Sequence, residues 1–384
     1  MPAMSALLFL IPIGIFGGFL AFVWHRLTVA PGWASRWVRP LVAVALLALT
    51  AGTFAGFDSW GGSFTPAQMR PIAWVGQAFL ATCWYLFLGL TPIWVACVLI
   101  WLIRWRDDHG RALRQRVNRV TAPLVAVTAL AVTAYGAFEA ATPRVTRLEV
   151  SSPQLPAAFD GMRVALVTDV HAGAVRSASF TRGVVDQVNA EKPDLVILGG
   201  DLIDGTAARY APEIAPLADL EAPLGVFTIT GNHEMFRDTA NWVAAFDALG
   251  LNLLGNESVT LTRGGESITL AGVHDYSGDG VFAPDPEAAL AGVDGAGYVL
   301  YAAHQPRQAL TVQGRGIDLQ LSGHSHGGQM WPIRYLVPLQ QPMVDGYAVL
   351  GDVPTITSRG AGAWGPAIRV AAPPEIPIIT LRRS

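Results

Sequence analysis

Residues 163–171, RVALVTDVH, place an aspartate and a histidine directly after a short, β-branched apolar run. Apolar runs also end at polar motifs at residues 194–204, DLVILGGDLID, with Asp201 and Asp204, and at residues 226–234, VFTITGNHE, with Asn232, His233 and Glu234. Short apolar runs that end at glycine or at a polar turn are typical of buried strands. Because helical patterns cover residues 177–190 and 239–249, the alternation predicts a parallel β-α-β sheet.

Two further polar motifs follow in the strand-rich half of the chain, at residues 303–305 (AHQ) and 323–328 (GHSHGG). Five of the six histidines after residue 140 lie in these five motifs. Ligands of open α/β sheets bind just past the carboxyl ends of strands, which is where the motifs stand. Carboxylate, amide and imidazole groups without thiolate suit Mn, Fe or Zn-type ions rather than a Cys-rich structural zinc site.

An Asp-x-His or a Gly-Asn-His motif alone is more often an ordinary loop than a site, and His324-x-His326 alone is an intermediate signal. The conjunction of all these motifs after successive strands indicates a site. The order D-x-H, G-D-x-x-D, G-N-H-[DE], H and G-H-x-H resembles the calcineurin-like metallophosphoesterase superfamily over roughly residues 160–330. The phrases at 303–306 and 323–329 resemble its membrane-associated, YkuE- and YaeI-like branch, which includes enzymes that hydrolyse UDP-diacylglucosamine. The resemblance implies a four-layer α/β/β/α sandwich. This agrees with the second sheet that strands from about residue 258 to residue 381 suggest.

The resemblance also implies two divalent metal ions, Mn, Fe or Zn, and a phosphoester hydrolysis that uses a metal-bridging hydroxide. Asp201 would bridge the ions. The other ligands would be Asp169, His171 and His326 for one ion, and Asn232, His304 and His324 for the other.

Two residues of these motifs resemble catalytic groups of the family instead of ligands. His233 would protonate the leaving oxygen, and Asp204 would orient its imidazole. Glu234 is expected to support its loop. His274 is either a substrate contact or, as we favour, a loop residue. The tail from Gln329 to Ser384 shows no motif beyond loops and strands.

The first 143 residues differ in composition from the remainder, with a net charge of +6 against −9 for residues 144–384. Spanning a bilayer takes about 20 mostly apolar residues. Four stretches qualify, at about 4–24, 40–57, 74–103 and 121–141. We therefore expect a four-helix membrane anchor over 1–143, a linker over 144–162 and a metallophosphoesterase domain over 163–384.

Arginines concentrate in the first and third loops between the expected spans, which the positive-inside rule places in the cytoplasm. Both termini would then lie outside, so the metal-binding domain would be extracytoplasmic, on a bacterial inner membrane. The acidic domain speaks against nucleic-acid binding, and the oligomeric state is left open. The expected partners are the lipid bilayer and a phosphate-containing small-molecule or lipid substrate.

These observations favour a membrane-anchored phosphodiesterase or pyrophosphatase that acts on envelope or lipid-linked substrates. One alternative is a UDP-2,3-diacylglucosamine pyrophosphatase-like lipid A enzyme on the cytoplasmic face, which would require the opposite topology. Another, from a different class, is a non-catalytic membrane sensor or scaffold. The complete set of ligand and acid positions argues against it.

Overall fold

The computed structural model describes residues 14, 16–33, 35, 37–55, 64–293 and 297–384. The chain divides into two compact units. One comprises Met1–Trp60 with Pro71–Ala137, and the other comprises Gly61–Arg70 with Phe138–Ser384.

The described part of the first unit is helical, and its sequence consists largely of long apolar runs with few charges. Residues 16–24 are helical and lead into a π-helical turn, His25–Val29. Three helices follow: α1 (Val38–Ala55), α2 (Pro66–Arg104) and α3 (Asp108–Glu139).

Two helices in the described part of the chain, α2 and α3, are long and apolar enough to cross a membrane. They contain most of the spans expected at 74–103 and 121–141. The span expected at 40–57 corresponds to α1, whose apolar stretch Val38–Phe54 is shorter. Most of the span expected at 4–24 lies outside the described residues. The structure thus shows two apolar spans of membrane-crossing length, and an anchor of four spans stays a prediction.

The second unit contains two six-stranded sheets. The first has the order β1-β12-β2-β3-β4-β5. Its strands are β1 (Arg144–Ser152), β2 (Arg163–Val167), β3 (Leu195–Leu198), β4 (Val226–Thr228), β5 (Asn252–Leu253) and β12 (Glu375–Arg383). Strands β2 to β5 are mutually parallel, as the β-α-β pattern predicts. Strand β12 runs antiparallel to β2 and parallel to β1.

The second sheet has the order β10-β11-β9-β8-β7-β6. Its strands are β6 (Glu257–Arg263), β7 (Glu266–Gly272), β8 (Val299–Ala302), β9 (Leu319–Ser322), β10 (Gly346–Leu350) and β11 (Val353–Thr357). The four central strands are parallel, and the two edge strands pair through antiparallel hairpins. The carboxyl ends of the central strands therefore meet at one edge of this sheet.

One apolar core is shared by the two sheets. It joins Leu166 and Ile197 of the first sheet to Leu270, Leu300 and Leu321 of the second, and all five are at most 1% exposed. Because strand side chains alternate, the other face of the first sheet is left for the helices. These are α4 (Ala178–Ala190), α5 (Ala207–Ile214), α6 (Asn232–Phe236) and α7 (Thr239–Ala248).

The opposite face of the second sheet has its own apolar cluster, which includes Val299, Tyr301, Leu290 and Ala309. Leu290 directly follows the short helix α8 (Pro286–Ala289), and Ala309 belongs to the 3₁₀ segment Pro306–Thr311. The other 3₁₀ segments of this unit are Ala157–Phe159, Ala215–Asp219, Gly280–Phe282, His326–Gly328, Ile333–Tyr335 and Val337–Leu339. The structure thus shows an α/β domain with two sheets, preceded by a helical region.

Three expectations about the strands need correction. The segment expected as a linker, 144–162, contains β1, whose half-exposed edge position gives its sequence no continuous apolar run. The strand expected at 376–381 joins the first sheet as β12 instead of the second. The sequence does not predict strand β11, because Pro354 lies inside its short run and proline within a run argues against a strand.

Replacing Ile379 by Ala should destabilise the second unit. Ile379 of β12 is fully buried in the shared core and pairs with Val164 of β2. A cavity of this kind costs about 2–5 kcal/mol of unfolding free energy. Urea denaturation of the full chain, followed by tryptophan fluorescence, measures it. The matched control is Val349→Ala, at a 54% exposed position on β10, which should change stability by less than about 0.5 kcal/mol.

Candidate metal centre and active site

The predicted site residues follow strand ends of both sheets. Asp169, Asp201 and Asn232 lie just past β2, β3 and β4 of the first sheet. His304 and His324 lie just past β8 and β9 of the second. Since the carboxyl ends of parallel strands face the same way, the fold brings these loops together between the two sheets.

One group of side chains comprises Asp169, His171, Asp201 and His326, whose ligand atoms all lie within 4.8 Å of one another. His171 Nε2 is 3.1 Å from His326 Nε2 and 3.7 Å from Asp201 Oδ2. His326 Nε2 is 3.3 Å from Asp169 Oδ1. All four residues are buried. These are the residues expected to hold one ion together with the bridging carboxylate.

A second group comprises Asp201, His304 and His324. His304 Nε2 is 3.3 Å from Asp201 Oδ2, and His324 Nδ1 is 2.7 Å from Asn232 Oδ1. The Asp201 carboxylate belongs to both groups. The structure thus brings together the seven residues expected as ligands, and their division between two ions stays a prediction.

The hydrogen bonds of two imidazole rings leave their Nε2 atoms available to bind cations. His304 Nδ1 lies 2.8 Å from the carbonyl oxygen of Gly199, to which it donates, so Nε2 carries a lone pair. That Nε2 is buried without a hydrogen-bond partner. His171 shows the same pattern, because its Nδ1 lies 2.9 Å from Asp204 Oδ1. A donor set of this kind, with two carboxylates, an amide and four imidazoles, suits Mn, Fe or Zn-type ions.

Electrostatics around Asp201 favour positive charge in this space. Burial raises the pKa of Asp201, but the neighbouring His304 and His233 outweigh it and hold that pKa well below its usual range. Burial lowers the pKa of His304, and the Asp201 carboxylate more than reverses this. His304 Nε2 can bind either a proton or a divalent cation. The negative charge of Asp201 stabilises whichever of the two is bound there.

His233 lies beside the two groups, and its Nδ1 is 2.6 Å from Asp204 Oδ1. Burial lowers the pKa of His233, but the Asp201 and Asp204 carboxylates raise it to about 9. Asp204 thus contacts the imidazole that it was expected to orient. It also contacts His171, which sequence reasoning missed, so one carboxylate positions both rings.

The loops hold these side chains in left-handed backbone conformations. Asp169, His171, Asp201, His324 and His326 all have φ between 49° and 70°. Non-glycine residues rarely adopt this region, and they cluster at functional sites where surrounding contacts hold them.

Two glycines allow the loops to approach the carboxylates closely. A Cβ at Gly231 would lie 2.2 Å from Asp201 Oδ1, and one at Gly323 would lie 2.3 Å from Asp169 Oδ2. Only glycine fits at either position.

Glu234 supports its loop, as expected. Its buried carboxylate accepts hydrogen bonds from the backbone amides of Gly231, Asp201 and Leu202 at 2.6, 2.9 and 2.9 Å. Burial and the nearby Asp201 raise its pKa to about 7. His274 lies outside both ligand groups and its Nδ1 is 3.1 Å from Thr230 Oγ1, within a loop.

The tail that showed no motif completes the site. The amides of Ala361 and Gly362 donate to the backbone oxygens of Thr168 and Asp169 at 2.9 and 2.8 Å. Arg369 is fully buried and donates to the His326 carbonyl oxygen at 2.7 Å and the Gly362 carbonyl oxygen at 2.9 Å. The one signal for this role is a charge inside the apolar run 367–372, AIRVAA, which solvent exposure would not explain.

A cavity of about 360 Å³ opens beside the ligand groups. Asp201, Asn232, His324 and His326 line its polar end, together with His233. The tail and α6 supply most of the remaining wall, including Phe236 and Trp364. A substrate phosphoryl group at the metal ligands would therefore have its substituents in this cavity.

Comparisons with known proteins agree with this geometry. Residues 162–328 match the model of the Calcineurin-like phosphoesterase family. An uncharacterized metallophosphoesterase of Helicobacter pylori strain J99 is 37% identical over 224 residues, which cover 57% of this chain and 60% of the relative. The chain therefore spans only 60% of that relative's length.

A Danio rerio relative described as a transmembrane protein with metallophosphoesterase domain is 34% identical over 299 residues, covering 74% of this chain and 67% of the relative. The uncharacterized metallophosphoesterase YkuE of Bacillus subtilis is 29% identical over 246 residues, covering 62% and 85%. The family resemblance is thus confirmed, including similarity to YkuE. The chain belongs to the calcineurin-like metallophosphoesterases.

Proposed function

We propose that this chain is a membrane-anchored, dinuclear-metal phosphoesterase that hydrolyses phosphodiester or pyrophosphate bonds of envelope or lipid-linked substrates. Membership of the family makes it a metal-dependent phosphoester hydrolase. The observation that carries the proposal is the buried Asp201 carboxylate, shared by two ligand groups, with the His233–Asp204 pair beside it.

Asp169, His171 and His326 would hold one ion, and Asn232, His304 and His324 the other, with Asp201 between them. When bound, two such ions supply Lewis acidity toward the phosphoryl oxygens and lower the pKa of water. The protein residues hold the ligand atoms in place and orient the substrate phosphate toward them. Buried surroundings strengthen each of these charge interactions.

His233 supplies the proton that the leaving oxygen needs. Its Nδ1 faces Asp204, so its Nε2 is free to donate toward the cavity. The carboxylate stabilises the protonated ring, in the same way that an acid orients a catalytic imidazole in other hydrolases. Because Asp204 also contacts His171, the proton donor and one metal ligand are positioned by the same group.

Membrane anchoring is supported by α2 and α3 and by relatives described as transmembrane proteins. We propose the full arrangement expected from the sequence: four spans, a bacterial inner-membrane location and an extracytoplasmic catalytic domain. The arginine-rich first and third loops support that orientation. The bilayer would then be a partner of the chain and a source of its substrate.

Metal analysis tests the ligand assignment. We expect two divalent ions per chain by mass spectrometry of the purified full chain. His304→Ala should retain about one ion, and Asp201→Ala should lower the occupancy of both sites, since its carboxylate is shared. The matched control is His274→Ala, a buried histidine outside both groups, which should keep two ions. Equal metal content in the Asp201 variant and the control would contradict the assignment.

Loss of the proton donor should slow hydrolysis without removing metal. His233→Ala should lower kcat on bis-p-nitrophenyl phosphate by about 10²–10⁴-fold, the usual contribution of general acid catalysis. Metal content should stay at the wild-type value. His109→Ala, on the exposed surface of α3, serves as the control. Full hydrolysis by both His233→Ala and Asp201→Ala would rule out the proposed mechanism.

Fusions at Ser384 test the orientation. An alkaline phosphatase fusion should be active and a green fluorescent protein fusion dark, because the phosphatase folds only outside the cytoplasm and the fluorescent protein only inside. The reverse pattern would place the site in the cytoplasm and would favour a UDP-diacylglucosamine pyrophosphatase-like activity instead.

A further inference from the structure

Away from its ligand end, the cavity beside the metal ligands is lined mainly by apolar surface. Six of its lining residues are hydrophobic: Phe236, Met330, Ile333, Val337, Trp364 and Pro366. The polar side chains away from the ligands are Ser325 and three glutamines. No arginine or lysine lines this cavity among the residues that the structure describes.

Two of these aromatic side chains flank the proton donor. The Phe236 ring centroid lies 4.9 Å from that of His233, and the Trp364 ring centroid lies 6.2 Å from it at an interplanar angle of 77°. Phe236 and Trp364 are 63% and 53% exposed. Large apolar side chains left open beside a reactive group usually mark a surface that binds something.

The position of His233 identifies which part of the substrate these rings face. A general acid must lie within hydrogen-bond reach of the leaving oxygen. The group attached to that oxygen must therefore start next to the His233 ring. In this protein the space next to that ring is bounded by Phe236 and Trp364, and the wall continues along Met330, Ile333 and Val337.

We infer that the leaving group of the natural substrate is an uncharged alcohol that carries a hydrocarbon chain. The inference rests on the proposed function and assigns Phe236 and Trp364 as substrate-binding residues for that chain. A second phosphate or a nucleotide in the same position would find no arginine or lysine among the described lining residues. A hydrocarbon chain, in contrast, would cover apolar surface that is otherwise exposed to water.

The chain length of the leaving group should therefore control the rate. We suggest methyl 4-alkylphenyl phosphates, with ethyl and hexyl chains, as substrates for the metal-loaded full chain in lipid nanodiscs. The alkyl chain lengthens the leaving phenol and barely changes its acidity, so the chemical step is held constant. Each buried methylene favours binding by about fourfold, so kcat/KM should rise by at least about tenfold from ethyl to hexyl.

Variants separate the cavity from general hydrophobic attraction. Phe236→Ala and Trp364→Ala should reduce the hexyl-to-ethyl ratio of kcat/KM to below about threefold, because each removes a face of the chain-binding wall. The matched control is Tyr347→Ala, a 54% exposed aromatic residue on β10 outside the cavity. It should keep the wild-type ratio.

The outcomes distinguish this inference from the proposed function. Hydrolysis of bis-p-nitrophenyl phosphate together with a ratio near one in the wild-type chain would overturn the inference and leave the phosphoesterase function standing. An equal loss of the ratio in Tyr347→Ala would also overturn it. A metal-loaded chain that hydrolyses none of these substrates would overturn both.

Discussion

The arrangement of the site depends on the contacts that the buried Asp201 carboxylate makes with its neighbours. It is 2% exposed, and a buried carboxylate costs several kcal/mol unless donors and positive charges surround it. Its neighbours come from different parts of the fold: the amide of His233 at 2.8 Å, His304 at 3.3 Å and His171 at 3.7 Å. His304 follows a strand of the second sheet, so its share of this compensation is present only when the two sheets are packed together. Packing of the two sheets therefore contributes directly to the assembly of the ligands.

The strained loops around Asp201 depend on a second buried acid. Asp201 has φ of 52°, and its amide and that of Leu202 donate to Glu234. The third donor to Glu234 is Gly231, which precedes the ligand Asn232. One side chain that binds no substrate thus fixes two ligand loops relative to each other. Left-handed conformations cost about 1–3 kcal/mol each and persist where such contacts determine the backbone.

Much of this site was predictable from the sequence, because its residues lie in short motifs at fixed offsets from strand ends. Asp169, Asp201 and Asn232 could be placed from the β-α-β pattern alone, and the parallel order of β2 to β5 followed from it. The roles of Arg369, Trp364 and β12 could not be predicted, since they depend on contacts between residues far apart in the sequence, such as Arg369 with His326 and Ile378 with Ala165, and no local pattern encodes such contacts. Strand β1 was mistaken for a linker because an edge strand buries little of its surface. The contacts of Asp204 with both His171 and His233 could not be predicted either. The spacing of residues along the chain does not show which imidazole rings a carboxylate contacts.

The position of β12 has a consequence for the biosynthesis of the protein. Ribosomes make β12 after every loop that carries a metal ligand, yet this strand lies between β1 and β2, and the tail before it holds the backbone of His326 and Asp169. A nascent chain that has emerged only as far as β11 has all seven ligands, an open edge on β2 and no support beneath two of those ligands. Tight metal capture therefore requires that β12 and the tail before it have already been synthesised.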